Sequence, residues 1–461
     1  MVWIEYFGLF KNRGEKMVVK RNFEKMKMGI KKEKGVKRKR KKGKEKISLA
    51  AFMKEPKQVV LKNRIYMDHG ASTPVRKEVL KVMLPYFSEK YGNASSLHLF
   101  GREAAQALEE SRKIIATAIG ARSEEIIFTS GGTESDNLAI KGIAFANGRK
   151  TGHIITSLIE HPAVMATCRY LERKGYMVTY LPVDSDGQVS VADVRANITD
   201  ETILVTIMHA NNEIGTVQPV EGIARVCREK GVPFHTDAVQ TFCKLPIDVH
   251  KMGIDMISLS SHKIYGPKGV GALYVKSGIK LEPTAHGGPH EMERRAGTEN
   301  VAGIVGFATA AQLAMKEMPK EMKRQTKLRD KLIEEVMEQV KGMKLNGSAR
   351  NRLPNNVNFS FVGLEGESLV LRLDQARIAT STGSACSSKK LEPSHVLLAL
   401  GLTPESAHGS LRITIGRDNS EKDVKHLIGI LPRIVRDLRE ISPTSMKIGL
   451  EEEENASSKK E

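Results

Sequence analysis

The stretch VPFHTDAVQTFCKLPIDVHKMGIDMISLSSHKIYGPKGVGALYV, residues 232–275, decides the fold. It holds three short apolar runs, at 232–235, 256–259 and 272–275. Runs of this length, bounded by turn residues, read as buried strands rather than helices. The first two are each followed at once by polar residues, His235-Thr236-Asp237 and Ser260-Ser261-His262-Lys263.

Working outward, runs of the same kind recur at 126–129, 153–157, 177–181 and 203–208. Most are separated by segments of helix length, such as 220–230. Strands alternating with helices indicate a mainly parallel sheet covered on both faces. The expected fold is α/β: a large domain at 78–312 built on a seven-stranded, mainly parallel sheet. Apolar residues at helical spacing (Ala105, Leu108, Ile115, Ala118) predict a helix over 102–119, with Gly120 as its stop. Residues 64–77 are expected to pack on this core as an extended piece followed by a turn. A charged helical stretch at 311–342 leads into strand-like runs at 357–361 and 411–415 and helices at 367–373 and 420–438. These predict a smaller α+β C-terminal domain at 313–442, with a polar, acidic tail at 443–461.

The net charge of +19 over 461 residues suggests a nucleic-acid partner until its distribution is read. Residues 1–60 hold 20 Lys/Arg and 6 Asp/Glu, while the remaining 401 hold 53 and 48. The excess belongs to a basic, low-complexity leader (1–63) that cannot bury a core. It is expected to be a disordered tail, or an extension upstream of a later start at Met17, Met26, Met28, Met53 or Met67. An arm for nucleic acid or an acidic partner is the other reading. No apolar run of about 18 residues occurs, so no membrane-spanning helix is expected, and no apolar segment follows the basic residues as a secretory signal requires. Cys168, Cys227, Cys243 and Cys386 form no CxxC pair, which argues against a zinc ribbon or a thioredoxin-like site. So few cysteines suit a reducing cytoplasm.

In parallel sheets, ligands bind beyond the carboxyl ends of the strands, and three polar stretches fall there. Thr129-Ser130-Gly131-Gly132-Thr133-Glu134 turns from a strand into a helix and reads as a phosphate cup: glycines let backbone N–H groups approach an anion that a helix N-terminus favours. A plain strand-to-helix turn is the alternative. Asp237, at a strand end, needs a cationic partner if buried; a protonated pyridinium nitrogen would serve, and capping of the next helix is the alternative. Lys263 lies 26 residues beyond Asp237, one helix-plus-strand unit later. Two adjacent strand ends could thus present an Asp and a Lys to one ring, and a lysine in such a cleft forms Schiff bases with aldehydes.

With these come MDHGASTP (67–74), TSGGTESDN (129–137), EHPAV (160–164), MHANNEIG (208–215), HTDAVQ (235–240), SSHKIYGPKGVG (260–271), RRAGTENV (294–301), STGSACSS (381–388) and SLRITIG (410–416). In this order the chain resembles the cysteine desulfurase family, the NifS/IscS type within the pyridoxal-phosphate (PLP) enzymes of fold type I. The resemblance implies that Lys263 holds PLP covalently and that Asp237 pairs with its pyridine nitrogen. Gln240 would bond the phenolic oxygen, Asn212 would lie beside the ring near the substrate, and His161 would stack on it and handle protons. Gly132, Thr133, Ser260, Ser261 and His262 would hold the phosphate. Thr298 would reach that phosphate from a second subunit, making a homodimer. Arg412 would clamp the substrate carboxylate.

Cys386 would take sulfur from L-cysteine as a persulfide, releasing alanine, and pass it to an acceptor protein for iron–sulfur cluster assembly or RNA thiolation. It could also ligate a cluster in transit; no resident metal is implied. Its neighbours are small and polar, as in a mobile loop, and Lys389 and Lys390 would favour its thiolate. The other three thiols, within apolar or helical segments, are expected to be buried and inert. Ser261 stands where the family often has Gly, and His69 where an aromatic is common. A selenocysteine lyase or another class V aminotransferase remains the alternative.

Overall fold

A computed structural model describes residues 64–148, 151–383 and 392–441. The leader, the tail and Cys386 lie outside the described residues. The described chain starts in β1 (Ile65–Tyr66), which pairs in parallel with Ile378 and Ala379, more than 300 residues later.

The seven apolar runs form β2 (Ile126–Thr129), β3 (His153–Ser157), β4 (Met177–Leu181), β5 (Thr202–Thr206), β6 (Phe234–Asp237), β7 (Met256–Ser260) and β8 (Gly271–Val275). They make one sheet in the order β2-β8-β7-β6-β5-β3-β4. All neighbours are parallel except β8, which runs antiparallel to both β2 and β7. Alternate side chains feed two different cores, as the two-residue period of a strand demands. Ile126, Phe128, Ile257, Leu259, Ala272 and Tyr274 enter one core; Ile127, Met256, Leu273 and Val275 enter the other. Because both faces are buried, these strands read as unbroken apolar runs.

A second, smaller sheet is antiparallel and consists of β9 (Met343–Leu345), β10 (Asn356–Phe361) and β12 (Ser410–Thr414), with β10 central; β11 (Ile378–Ala379) pairs with β1 instead. The sheet buries Val357, Phe359, Leu411 and Ile413 against helices Gly366–Gln375 and Glu421–Ile441. Helix Val301–Gln339 joins the two parts. Its first half places Phe307, Ala310 and Ala311 in the large-sheet core, and its second half places Leu328, Leu332 and Val336 in the small one. The expected boundary at 312/313 therefore falls inside a continuous helix, at the point where its buried face changes partner.

The segment after β1 crosses from the small sheet to the large one. Asp68 bridges to Thr414, the Gly70 N–H donates to Thr414 Oγ1 at 2.7 Å, and the Thr73 N–H donates to the His262 carbonyl at 3.0 Å. His69 lies between, 4 % exposed, its ring centroid 4.9 Å from Tyr66 and 5.8 Å from Tyr265. Burial lowers its pKa to about 4, so a neutral imidazole fills an aromatic slot. A Cβ on Gly416 would lie 2.2 Å from that ring. Gly416→Ala is therefore expected to cost about 1–3 kcal/mol by overpacking, read as a lower denaturant midpoint at unchanged slope.

Candidate active site

Most of the side chains singled out from the sequence lie at the carboxyl ends of strands of the large sheet, in the loops after β2, β3, β5, β6 and β7. Asp237 ends β6 and Lys263 follows β7 after one 3-10 turn. The two strands are hydrogen-bonded neighbours, with Asp237 opposite Ser258. An Asp and a Lys thus stand at adjoining strand ends.

Asp237 is 7 % exposed. Its Oδ1 accepts from the Val239 N–H at 2.9 Å. Burial raises its pKa, while the charges of His161 and Lys263 pull the other way. The Lys263 ammonium donates to the carbonyls of Gly70 (2.5 Å) and Ala71 (2.8 Å). Gln240 Nε2 donates to that same Gly70 carbonyl at 3.1 Å, and behind Gln240 sits Lys244, whose Nζ is 3.5 Å from Gln240 Oε1. Burial and the charge of Lys263 lower the Lys244 pKa to about 7.

His161 satisfies two readings at once. It caps helix Pro162–Glu172, its Nδ1 accepting from the Ala163 N–H at 3.1 Å. That bond leaves Nε2 as the protonated nitrogen of the neutral ring, and burial lowers the pKa. Ring nitrogen and carboxylate oxygens of His161, Asp237 and Asp136 lie within 4.8 Å of one another. Next to it, Glu160 is fully buried and accepts from Ser157 Oγ (2.6 Å) and from the Met208 N–H with both oxygens (3.0 and 3.1 Å); desolvation raises its pKa to about 8. The Glu160 bonds pin the loop after β5 to the loop after β3.

The phosphate cup opens at the start of helix Gly132–Ala146. Gly131 caps it without a side chain, at φ 150°, so the helix itself leaves its first-turn N–H groups unsatisfied. A Cβ on Gly132 would lie 2.6 Å from Val239 Cγ2 and 3.8 Å from Ser260 Cβ, which fixes glycine there and places Ser260 at the cup. Thr133 is exposed at the helix start. His262 Nδ1 is 3.2 Å from Ser72 Oγ. Ser261 differs: its buried Oγ has no hydrogen-bond partner and faces the backbone of Gly266, 2.0 Å from where a Cβ would stand. Glu134 accepts from the Ser130 N–H (2.7 Å) and from Arg295 (2.8 Å), tying the cup to the loop that carries exposed Thr298.

Arg412, on β12, comes from the small sheet. Its guanidinium donates to Asp68 Oδ1 (3.0 Å) and the Asn212 carbonyl (3.1 Å). Its Nε is buried without a partner, a donor left over for an anion. Its backbone pairs with Ser381, a few residues before Cys386. The C-terminal end of that segment is anchored nearby, Ser394 Oγ donating to Glu213 (2.6 Å) and His395 Nε2 lying 2.9 Å from the Glu160 carbonyl. Cys168, Cys227 and Cys243 are buried. Desolvation pushes their thiols up, Cys227 to about 12, so none is a ready nucleophile.

Residues 65–427 match the family model described as aminotransferase class-V. A cysteine desulfurase IscS from Dictyoglomus turgidum is 53% identical over 383 residues, covering 83% of this chain and 97% of that protein. The chain belongs to the cysteine desulfurase family of class-V aminotransferases. A relative of the same name from Methanosarcina thermophila is 52% identical over 383 residues, covering 83% of this chain and 95% of that one. Among solved structures, a NifS-like protein superposes with a TM-score of 0.77 at 38% identity, covering 81% of this chain and all of that one. The structure titled SspA in complex with cysteine does so with 0.69 at 42%, covering 76% and 98%. Membership in this family agrees with the seven-stranded sheet and with the Asp–Lys pair at its strand ends.

Sequence reasoning gave no role to Asp136, Glu160 or Asp68, although each stands inside a quoted motif. Each lies within a few residues of a strand end or of the cup, but the burial of Asp136 and Glu160 among other acids appears only in the fold. Among the described residues, no helix is long and apolar enough to cross a membrane.

Proposed function

We propose that this chain removes sulfur from L-cysteine with PLP as cofactor, leaving L-alanine and a persulfide on Cys386. The observation that carries the reading is the pair at neighbouring strand ends, a buried carboxylate opposite an amine, beside a helix N-terminus built to take an anion. A flat ring bearing a cationic nitrogen at one end and a phosphate at the other fits this set. Asp237 offers the counter-charge that its own burial demands, and the cup of Gly132, Thr133 and Ser260 offers N–H groups to the phosphate.

When bound, PLP supplies an electron sink for the charge left on carbon after loss of the substrate Cα proton. Lys263 would hold the cofactor covalently, and its amine would carry that proton. His161 presents its Nε2 proton toward the same space, and Gln240 the amide that would meet the phenolic oxygen. Arg412 orients the substrate through its carboxylate, with Asp68 holding the guanidinium in place. The Cys386 thiolate attacks the substrate sulfur. The new S–S bond forms as the C–S bond breaks and the electron pair stays with Cβ; protonation at Cβ and return of a proton to Cα by Lys263 give alanine.

A homodimer is part of the proposal. Leu84, Phe87, Tyr91, Leu97 and Leu99 are all more than half exposed, Leu97 at 90 %. So many large apolar side chains in one short segment call for a partner surface. A second copy would cover them and bring its own Thr298. The sulfur then passes to an acceptor protein serving iron–sulfur assembly or RNA thiolation.

Arg412→Lys keeps the charge but loses the planar fork. It is expected to raise KM for cysteine roughly tenfold to a hundredfold, the worth of a charge-assisted hydrogen bond at about 1.5–3 kcal/mol, with a smaller effect on kcat. The function itself is tested by supplying PLP, L-cysteine and an excess of a dithiol reductant that discharges the persulfide, and following alanine and sulfide. Equal release of both supports the reading. Alanine from selenocysteine only, or an amino-group transfer with no sulfide, would instead favour a related enzyme of the class.

A further inference from the structure

Helix Gly132–Ala146 carries a second aspartate into the floor of the site, one turn below the phosphate cup. Asp136 is 1 % exposed, and its oxygens lie within 4.8 Å of both Asp237 and His161. One of them, Oδ1, has no hydrogen-bond partner. The groups that face it come from three directions. Asp237 and His235 approach from β6, Ser258 from β7, and Glu160 from the loop after β3. None of these brings a positive charge, and His161, which lies as close, is held toward its neutral form by burial. His235 is held neutral by burial, its pKa lowered to about 3. Its Nδ1 lies 2.8 Å from Thr206 Oγ1 and its Nε2 3.0 Å from Ser258 Oγ, while Nε2 is 3.8 Å from Asp136 Oδ1, too far for a hydrogen bond.

Two buried carboxylates this close raise the pKa of one of them, so that the pair favours a single negative charge. Asp237 has cations to answer, Lys263 among them. Asp136 has acids for neighbours, and its pKa is pushed well above the ordinary range by burial and by Asp237. The proton therefore settles on Asp136.

We propose that Asp136 is a positioning residue that stays protonated, so that the pair carries one negative charge and Asp237 keeps its full carboxylate for the ring nitrogen. The inference rests on the PLP reading for its purpose, but the proton itself belongs to the protein. An ionised Asp136 would place a second buried negative charge beside Asp237. A buried neutral acid avoids that charge.

Infrared spectroscopy of the full-length protein, with aspartate carboxyls labelled with carbon-13, tests this directly. The expected result is a protonated-carboxyl C=O band at pH 8 that shifts with the aspartate label, which separates it from Glu160. It persists when PLP is added and is gone in Asp136→Asn. A label-sensitive band that survives in Asp136→Asn, or its absence from the wild type, overturns the proposal. The wild-type measurement stands even where the variant does not fold. Failure of PLP to bind at all would sink the cofactor reading while leaving the band, so the two failures are distinguishable.

Discussion

Lys263→Ala is expected to lose cysteine turnover by at least about a thousandfold, within the range a positioned acid–base group contributes, and to lose the covalently bound chromophore with it. The reason is geometric. The Lys263 amine enters the site from the end of β7 and rests on the carbonyls of Gly70 and Ala71, across from the carboxylate that ends β6. The other lysine nearby, half-buried Lys244, stands behind Gln240 and cannot take over without displacing it. Absorbance of the PLP-loaded variant and alanine formation from cysteine check this together. A variant that keeps a borohydride-reducible linkage to PLP would move the covalent role to another residue.

Asp237→Asn should act in opposite directions on stability and on activity. In the protein without cofactor, the buried carboxylate costs free energy that an amide of the same shape does not. The buried pair of Asp237 and Asp136 holds one proton in the folded chain that the unfolded chain releases above the usual carboxylate range. Stability from this group is therefore present at low pH and is lost as pH rises through the folded value. The variant should gain on the wild type in melting temperature as pH climbs from 5 to 8. In the loaded enzyme the ring nitrogen instead loses its charged partner. Breaking a buried pair costs about 3–5 kcal/mol, so turnover should fall by roughly a hundredfold or more. Melting curves across pH and kcat for alanine formation separate the two effects. A variant with lower melting temperature at every pH would mean that Asp237 serves structure first.

The large sheet was legible because strands buried on both faces have no polar alternation to blur them. All seven runs became strands, with ends displaced by a few residues; β6 reaches Asp237 where the apolar run stops at His235. The first long helix begins at Leu99 rather than at 102, because His98 caps it by accepting from the Gly101 N–H, and a glycine near a helix start carries no periodic signal. The pairing of β1 with β11 joins residues far apart in sequence, and nothing local announces it. The same holds for the helix that spans both cores: its composition changes near Ala311, yet the backbone continues and only the packing partner changes.

At the site, Asp237 and Lys263 could be read from a rule about strand ends. Asp136 and Glu160 could not be read in the same way. Their character comes from burial among other acids, and burial of a single carboxylate within a helix or loop leaves no mark on the residues around it. Ser261 shows the converse. The resemblance implied a phosphate contact for it; its Oγ lies beside Gly266, a placement that sequence does not announce.

The most direct measurement is the mass of the peptide containing Cys386, after incubation of the full-length protein with PLP and L-cysteine and rapid alkylation. One added sulfur atom on Cys386, absent when PLP is omitted, is the predicted result. Alanine accumulating while the Cys386 peptide stays at its unmodified mass would contradict the account.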